Sequence, residues 1–212
     1  MLEIISFVLG PVSTNTYLVA DVESHQAAVI DPAWDTPLIM SEAARRKWQV
    51  GQIWITHAHF DHISGVASLV KQIEPAPAIA LHPADLPIWQ VGGGAAWFGI
   101  QIQAPPEPTL QLNHRQNLSL GKSQFEVRHV PGHSPGHVVF YCQAEQILFC
   151  GDTVFWGSIG RTDLPGGDTS LLLRSIKDEI LGLPDDTRLL SGHGEETTVA
   201  QEKRWNPYLG RS

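Results

Sequence analysis

Three histidines and an aspartate lie close together in the segment ITHAHFDHISG, residues 55–65. The segment begins at the end of QIWIT, residues 52–56, whose apolar content predicts a buried strand. Side chains two residues apart share a face of an extended chain, so His57 and His59 can reach one metal ion together. Asp61 and His62 stand where the chain turns into a helix, and they can point to a second position. Because imidazole and carboxylate groups suit zinc, iron or manganese, the spacing predicts a metal site.

Three later segments repeat this arrangement at the ends of predicted strands. His133 follows FEVRHV, Asp152 ends QILFCGD and His193 follows TRLLSG, each beside a glycine. Glycine lets the backbone turn tightly around an ion. A single HxH pair would also fit solvated loop histidines, but seven ligand-type side chains at strand ends favour a genuine metal centre.

The elements that must position these side chains are short strands and a few helices. The first half predicts strands at EIISFVL, TNTYLVA, QAAVID, QIWITH and AIALHP, and helices at 35–49, capped by Thr36, and 62–74. After a Gly/Pro-rich loop at 92–108, the second half repeats strands and then a helix at 168–181 capped by Asp168. The pattern predicts one α/β domain over 1–212, with two similar halves meeting at roughly 105–118 and two mixed sheets flanked by helices.

The composition limits the partners. Lysine and arginine total 14 against 22 for aspartate and glutamate, which gives a net charge of −8 with histidine neutral. Nucleic-acid binding needs basic residues to neutralise phosphates, so no nucleic-acid partner is expected. No apolar run is long enough to span a bilayer, and the early apolar run is expected to be a strand. With Cys142 and Cys150 as core thiols, we expect a cytoplasmic protein without a membrane partner.

The motifs together resemble a known family. THAHFDH, PGHSPGH, GD and GHG occur in the order and at the separations typical of the metallo-β-lactamase superfamily, and the match runs from Asp31 to Gly194. The resemblance implies a four-layer αβ/βα sandwich with the metals at one edge between the sheets.

The resemblance also implies a role for each ligand-type residue. His57, His59 and His133 would hold the first metal, Asp61, His62 and His193 the second, and Asp152 would bridge them. Asp31 would buttress the ligand loop, and His137 would support the site rather than bind metal. One or two divalent ions are expected, zinc first, with iron or manganese as alternatives.

Within the superfamily, the chain is most similar to short glyoxalase II-like proteins, the hydroxyacylglutathione hydrolases. Asp152 stands where the best-known zinc β-lactamases have cysteine, and the similarity extends through GDTVFWGSIGRTDLPGGD and GHGEETTVAQEKRWNPYL. The resemblance implies a thioesterase whose nucleophile is a metal-bound hydroxide and whose substrate is a small thioester, derived from glutathione. The GRTD segment at 160–163 also resembles persulfide dioxygenases, which use one iron. In that alternative His57, His59 and Asp152 would suffice.

Four residues are candidates for work on the substrate. Asp61, besides binding metal, could shuttle a proton. Arg161 could hold a substrate carboxylate or pair with Asp163. Trp97 and Phe98, in the long loop, could line a pocket for an acyl group or cover a sheet end.

Overall fold

Two six-stranded sheets lie face to face in the computed structural model, which describes residues 1–209. Residues 210–212, which the predicted domain includes, lie outside the described residues. The first sheet takes its strands in chain order: β1 (Leu2–Leu9), β2 (Thr14–Asp21), β3 (Gln26–Ile30), β4 (Gln49–Trp54), β5 (Ala78–Leu81) and β6 (Leu110–Gln111). Strands β1 to β3 pair antiparallel and β3 to β6 pair parallel, so this sheet is mixed.

The second sheet begins at residue 117. Its strands are β7 (Asn117–Leu120), β8 (Ser123–His129), β9 (Val138–Cys142), β10 (Ile147–Gly151), β13 (Arg188–Ser191) and β14 (Thr197–Thr198), and β11 (Val154–Phe155) and β12 (Ser158–Ile159) form a separate hairpin. The order across the sheet is β14-β13-β10-β9-β8-β7. Strands β10 and β13 run parallel, and the other neighbours run antiparallel.

Helices cover the outer face of each sheet. They are α1 (Thr36–Arg46), α2 (Phe60–Ile63), α3 (Val66–Lys71), α4 (Leu86–Gln90), α5 (Thr169–Glu179) and α6 (Val199–Trp205), with short 3-10 turns at Pro83–Asp85, Gly92–Phe98 and Gln143–Glu145. Ile39 of α1 and Leu69 of α3 pack on the first sheet, and Leu172 and Ile176 of α5 pack on the second. The predicted Asp168 cap is confirmed, since its carboxylate accepts a hydrogen bond from Leu171 N at 2.9 Å.

The central core fills the space between the sheets. Trp54 of β4 meets Phe125 of β8 edge to face, with 4.9 Å between ring centroids, and Phe140 of β9 lies 5.4 Å away. All three side chains are fully buried. The layer order is therefore helix, sheet, sheet, helix, which confirms the predicted α/β sandwich of two mixed sheets.

Two predicted helix features were wrong. The first helix has Asp35, not Thr36, at its N-cap, and the Thr36 hydroxyl instead accepts a hydrogen bond from Gln72 Nε2 at 2.7 Å. The continuous helix predicted over 62–74 is two short helices, α2 and α3, that meet at Gly65. A Cβ at Gly65 would lie 1.8 Å from the carbonyl oxygen of Ala33. The close approach of the Ala33 backbone to residue 65 therefore requires glycine.

Among the helices of the described chain, none combines the length and the apolar content needed to cross a membrane.

Candidate metal centre

The seven predicted ligands lie together where strands of both sheets end. His57 and His59 follow β4, Asp61 and His62 lie on α2, His133 follows β8, Asp152 follows β10 and His193 follows β13. Their ligand atoms form a first group (His57, His59 and His133), a second group (Asp61, His62 and His193) and an overlapping set in which Asp152 joins His57 of the first to His62 of the second, and the atoms of each set lie within 4.8 Å of one another. The fold thus brings together side chains up to 136 residues apart in sequence, as the motif spacing predicts.

The first group contains three histidines. His133 Nε2 lies 2.8 Å from His59 Nδ1 and 3.1 Å from His57 Nε2. The three residues are between 0 and 5 % exposed. One ion placed between these nitrogens would be held by three imidazoles, which leaves a fourth position for water or substrate.

The second group lies beside the first. Asp61 Oδ2 is 3.3 Å from His62 Nε2 and 3.1 Å from His193 Nε2. Asp152 stands between the groups, with Oδ1 3.4 Å from His62 Nε2 and Oδ2 3.7 Å from His133 Nε2. Its carboxylate therefore lies within reach of both groups and could contribute a ligand atom to either.

Hydrogen bonds behind the first group fix which ring nitrogens face the centre. His133 Nδ1 donates to the carbonyl of Arg161 at 2.7 Å. The Thr56 hydroxyl donates to Asp31 Oδ2 at 2.6 Å, so it accepts from His57 Nδ1 at 3.0 Å. The Nε2 atoms of His57 and His133 thus both present lone pairs, which would repel at 3.1 Å. A cation between them converts this repulsion into coordination, so the donor set fits a divalent metal.

The protonation states favour metal binding by the first group. Burial, followed by the neighbouring histidines, holds the pKa of His57 well below its usual value. Burial also lowers the pKa of His59 to about 3, and it lowers the pKa of His133. These rings are neutral at pH 7, which is the form that binds metal.

The second group carries charge instead. Burial acts to lower the pKa of His62, but the carboxylates of Asp61, Asp152 and Asp31 outweigh it and hold that pKa well above the usual value. Burial acts to raise the pKa of Asp61 and Asp152, and the nearby histidines, His62 first, hold both values low. The protein thus keeps two ionised carboxylates in a buried site, where a second cation would replace the histidine proton.

Asp31 and His137 support the ligands from behind. Asp31 Oδ1 accepts from Thr56 N at 2.8 Å, and its Oδ2 accepts from His62 Nδ1 at 3.0 Å. His137 Nε2 accepts from Asp152 N at 3.0 Å, and its ring stacks on that of His57 with 4.8 Å between centroids. Neither residue belongs to the groups of converging ligand atoms. Both side chains therefore contact ligand residues from behind, and their supporting role stays a prediction.

Asp85 is a supporting residue that sequence reasoning missed. Its side chain is fully buried, and its carboxylate accepts hydrogen bonds from Ala58 N (2.9 Å), Ser134 Oγ (2.8 Å) and Gly136 N (2.6 Å). Burial raises the pKa of Asp85, and these hydrogen bonds lower it by less. Ala58 lies in the ligand loop after β4 of the first sheet. Ser134 and Gly136 lie in the ligand loop after β8 of the second sheet. One carboxylate therefore ties the two ligand loops together.

Replacing Asp85 is expected to weaken metal binding. Loss of a side chain that orients ligands typically costs about 10- to 100-fold in metal affinity. Asp85→Ala leaves three donors without their acceptor, whereas Asp85→Asn keeps one carbonyl oxygen. We therefore expect the metal affinity to be highest in the original protein, lower in Asp85→Asn and lowest in Asp85→Ala. Metal titration of the metal-free protein measures this, with the exposed Asp185→Asn as control. Equal affinity in the Asn variant and in the original protein would show that Asp85 does not position the ligands.

A cleft of about 430 Å³ opens onto the centre. His59, Asp61, His133, Asp152 and His193 form its base. It is large enough to bury most of a small-molecule ligand. The ligand side chains are thus accessible from outside.

Two of the three predicted substrate-contacting residues line this cleft. Phe98 and Arg161 do so, although the Arg161 guanidinium also pairs with Asp163 through two hydrogen bonds of 2.7 Å. Trp97 is not among the residues that line this cleft; it is half exposed, with its ring against the backbone of Gly94, so the structure does not bring it to the centre. The chain there is not an extended loop but a pair of 3-10 turns, which send neighbouring side chains in different directions.

Comparison with known proteins identifies the family. The family model described as the metallo-beta-lactamase superfamily matches residues 9–193. Together with the four-layer sandwich and the histidine and aspartate cluster, this match shows that the chain belongs to the metallo-β-lactamase superfamily.

Two relatives that match over nearly the whole chain are named as hydrolases. The chain is 35 % identical over 204 residues to the probable metallo-hydrolase YqgX of Bacillus subtilis, which covers 95 % of this chain and 94 % of that protein. It is 34 % identical over 197 residues to the hydroxyacylglutathione hydrolase GloC of Haemophilus influenzae, with 92 % of each covered.

Solved structures match over nearly the whole chain as well. BLEG-1, described as a B3 metallo-β-lactamase, superposes with a TM-score of 0.90 at 37 % identity over 99 % of both chains. TTHA1623 in a di-iron-bound form gives a TM-score of 0.88 at 40 % identity, with 97 % of this chain and 100 % of that one covered.

Proposed function

We propose that this protein is a metal-dependent thioester hydrolase of the hydroxyacylglutathione hydrolase kind. The observation that carries the proposal is the seven-residue cluster of histidines and aspartates at the base of an open cleft. The similarity to GloC over 92 % of both chains supports thioesters as the substrate class. The substrate is a small molecule, and neither a nucleic acid nor a membrane is part of the proposal.

The chemistry follows from what the cluster can hold. Divalent metals lower the pKa of bound water from about 15.7 to about 7 and polarise a carbonyl, which supplies a nucleophile at neutral pH. In our proposal His57, His59 and His133 would hold one ion and Asp61, His62 and His193 another, and Asp152 would be shared between the two sets. Zinc is the first candidate, and the di-iron form of TTHA1623 supports iron as the alternative.

The side chains around the centre position water and substrate. The Asp61 carboxylate accepts a hydrogen bond from Thr14 Oγ1 at 3.2 Å, and the nearby histidines, His62 first, hold its pKa well below the usual value against the opposing effect of burial, so this carboxylate suits a ligand and is a weak base. A thiolate is a good leaving group, so no strong general acid is required. Asp61 therefore acts in this proposal as a ligand first and as a proton acceptor second.

A substrate comparison tests this proposal. The protein is loaded with zinc or iron and assayed for thiol release from lactoylglutathione, for oxygen consumption with glutathione persulfide and for opening of a β-lactam ring. We expect thiol release to be the dominant activity. Oxygen consumption without thioester hydrolysis would instead establish the mononuclear-iron persulfide dioxygenase, the alternative suggested by residues 160–163. Dominant β-lactam hydrolysis would place the chain with BLEG-1 in activity as well as in fold.

A further inference from the structure

The walls of the cleft are apolar. Above the metal-binding side chains they are formed by the turn after β1, by the 3-10 turns at Gly92–Phe98 and the residues after them, and by the β11–β12 hairpin with the loop beyond it. The apolar side chains that these segments contribute are Val12, Phe98, Ile100, Phe155, Ile159 and Leu164. Three separate parts of the chain thus present apolar groups to one space.

The walls offer little to a charged substrate. Leaving the metal-binding side chains aside, Ser158 and Arg161 are the polar residues that the described chain contributes to the lining. Both Nε and Nη2 of Arg161 donate to the Asp163 carboxylate at 2.7 Å, so a substrate carboxylate has to compete with Asp163 for this guanidinium. A glutathione thioester carries carboxylates and an ammonium group, and these gain little from such walls.

Phe98 is held in place against the metal-binding loop. Its ring packs on that of Phe60, with 5.3 Å between centroids. Gly93, at φ 66°, lies so close that a Cβ would come within 2.3 Å of Phe60 N. The 3-10 turns are therefore seated directly on the ligand segment, and the apolar surface of Phe98 stands at the entrance to the centre.

We propose that the cleft selects thioesters with apolar acyl groups over those with small hydroxylated ones. The inference rests on the proposed thioester hydrolysis, in which the C–S bond breaks and the carbonyl carbon gains oxygen from water. The products are a carboxylate, a thiol and one proton. The aliphatic or aromatic acyl group lies against Phe98 and the β11–β12 side of the cleft, and the charged thiol part extends towards solvent.

A series with one thiol and different acyl groups tests the proposal. Lactoyl-, propanoyl-, butanoyl-, hexanoyl- and phenylacetylglutathione are compared by kcat/KM. Each buried methylene contributes a factor of about four, so we expect kcat/KM to rise along the aliphatic series until the cleft is filled. Propanoylglutathione, which differs from the lactoyl compound by one missing hydroxyl, should be the better substrate of that pair.

Variants at neighbouring aromatic residues assign the selectivity to the wall. Phe98→Ala should reduce kcat/KM about tenfold for the hexanoyl and phenylacetyl compounds and much less for the lactoyl compound. Phe98→Leu should restore most of the preference, and Trp97→Ala, an exposed aromatic outside the cleft, should leave the whole series unchanged. A kcat/KM that is flat or falls with acyl length, or a loss in Phe98→Ala that is equal for all substrates, would overturn the proposal.

A binding measurement separates this proposal from the proposed reaction. S-methyl-, S-butyl- and S-hexylglutathione are thioethers that cannot be hydrolysed, and calorimetry gives their affinities for the metal-loaded protein. Tighter binding of the longer thioethers supports the apolar cleft even if no thioester is hydrolysed, an outcome that would reject the reaction alone. Equal affinities for the three thioethers would reject the apolar selectivity whatever the reaction.

Discussion

His59→Ala is expected to reduce thioester hydrolysis by about a thousandfold or more, because it removes a ligand from the metal that makes water reactive at neutral pH. His59 Nδ1 lies 2.8 Å from His133 Nε2, and the side chain is 5 % exposed at the base of the cleft. Within the described chain its Nε2 has no hydrogen-bond partner, so the substitution breaks no other polar contact of the ring. Turnover and bound metal are measured together.

The control for His59→Ala is a histidine away from the centre. His114→Ala removes an exposed side chain whose ring nitrogens lie 3.1 Å from His129 N and from Arg115 Nε and which, within the described chain, touches no residue of the cluster, so it should leave metal content and turnover unchanged. Circular dichroism establishes that both variants fold. A folded His59→Ala protein with the turnover and metal content of the original would mean that the histidine cluster does not carry the reaction.

His193→Ala is expected to lower hydrolysis about a hundredfold and to reduce bound metal from two ions towards one. His193 Nε2 lies 3.1 Å from Asp61 Oδ2 and 3.6 Å from Asp152 Oδ2, so its removal weakens the second group and spares the first. Burial acts to lower the pKa of His193, but the hydrogen bond with Asp61 and the charge of Asp152 raise it. Loss of this side chain therefore also leaves two buried carboxylates with less positive charge around them.

This variant separates a centre of two metals from a centre of one. If a single iron performed an oxidation, His193→Ala would retain oxygen consumption with glutathione persulfide and change bound metal little. If two ions act together, hydrolysis and the second ion are lost in parallel. Elemental analysis of the variant, with both assays on the same preparation, distinguishes the two results.

The ligand-type residues could be singled out from sequence because their signals are local, whereas their division between two ions is an implication of the family resemblance. The ligand-type residues follow apolar strands, with a glycine beside His133, Asp152 and His193 and the turn into a helix at Asp61 and His62, so motif and element reinforce each other. The sandwich follows from the same strands and from the apolar face of α5. These features can be inferred from short segments of the sequence.

The supporting contacts could not be predicted, because they join segments far apart. Asp85 stands in HPADLP with no ligand motif beside it, and its donor Gly136 lies 51 residues away. The sequence signal for Asp85 is a lone aspartate shortly after a buried strand. This pattern is too common to predict a supporting role for the residue. Likewise, Phe98 lines the cleft and Trp97 does not within 3-10 turns that contain positive φ angles at residues 92–94. The break at Gly65 depends on the carbonyl of Ala33.

Metal content measured alongside activity tests the central claim most directly. The protein is purified without chelator, analysed for transition metals, stripped with a chelator and then reloaded. We expect one to two divalent ions per chain, loss of thioester hydrolysis on stripping, a lower thermal midpoint because bound metal stabilises the native state, and recovery of both on reloading. Metal-free protein that hydrolyses lactoylglutathione at the full rate would contradict the account.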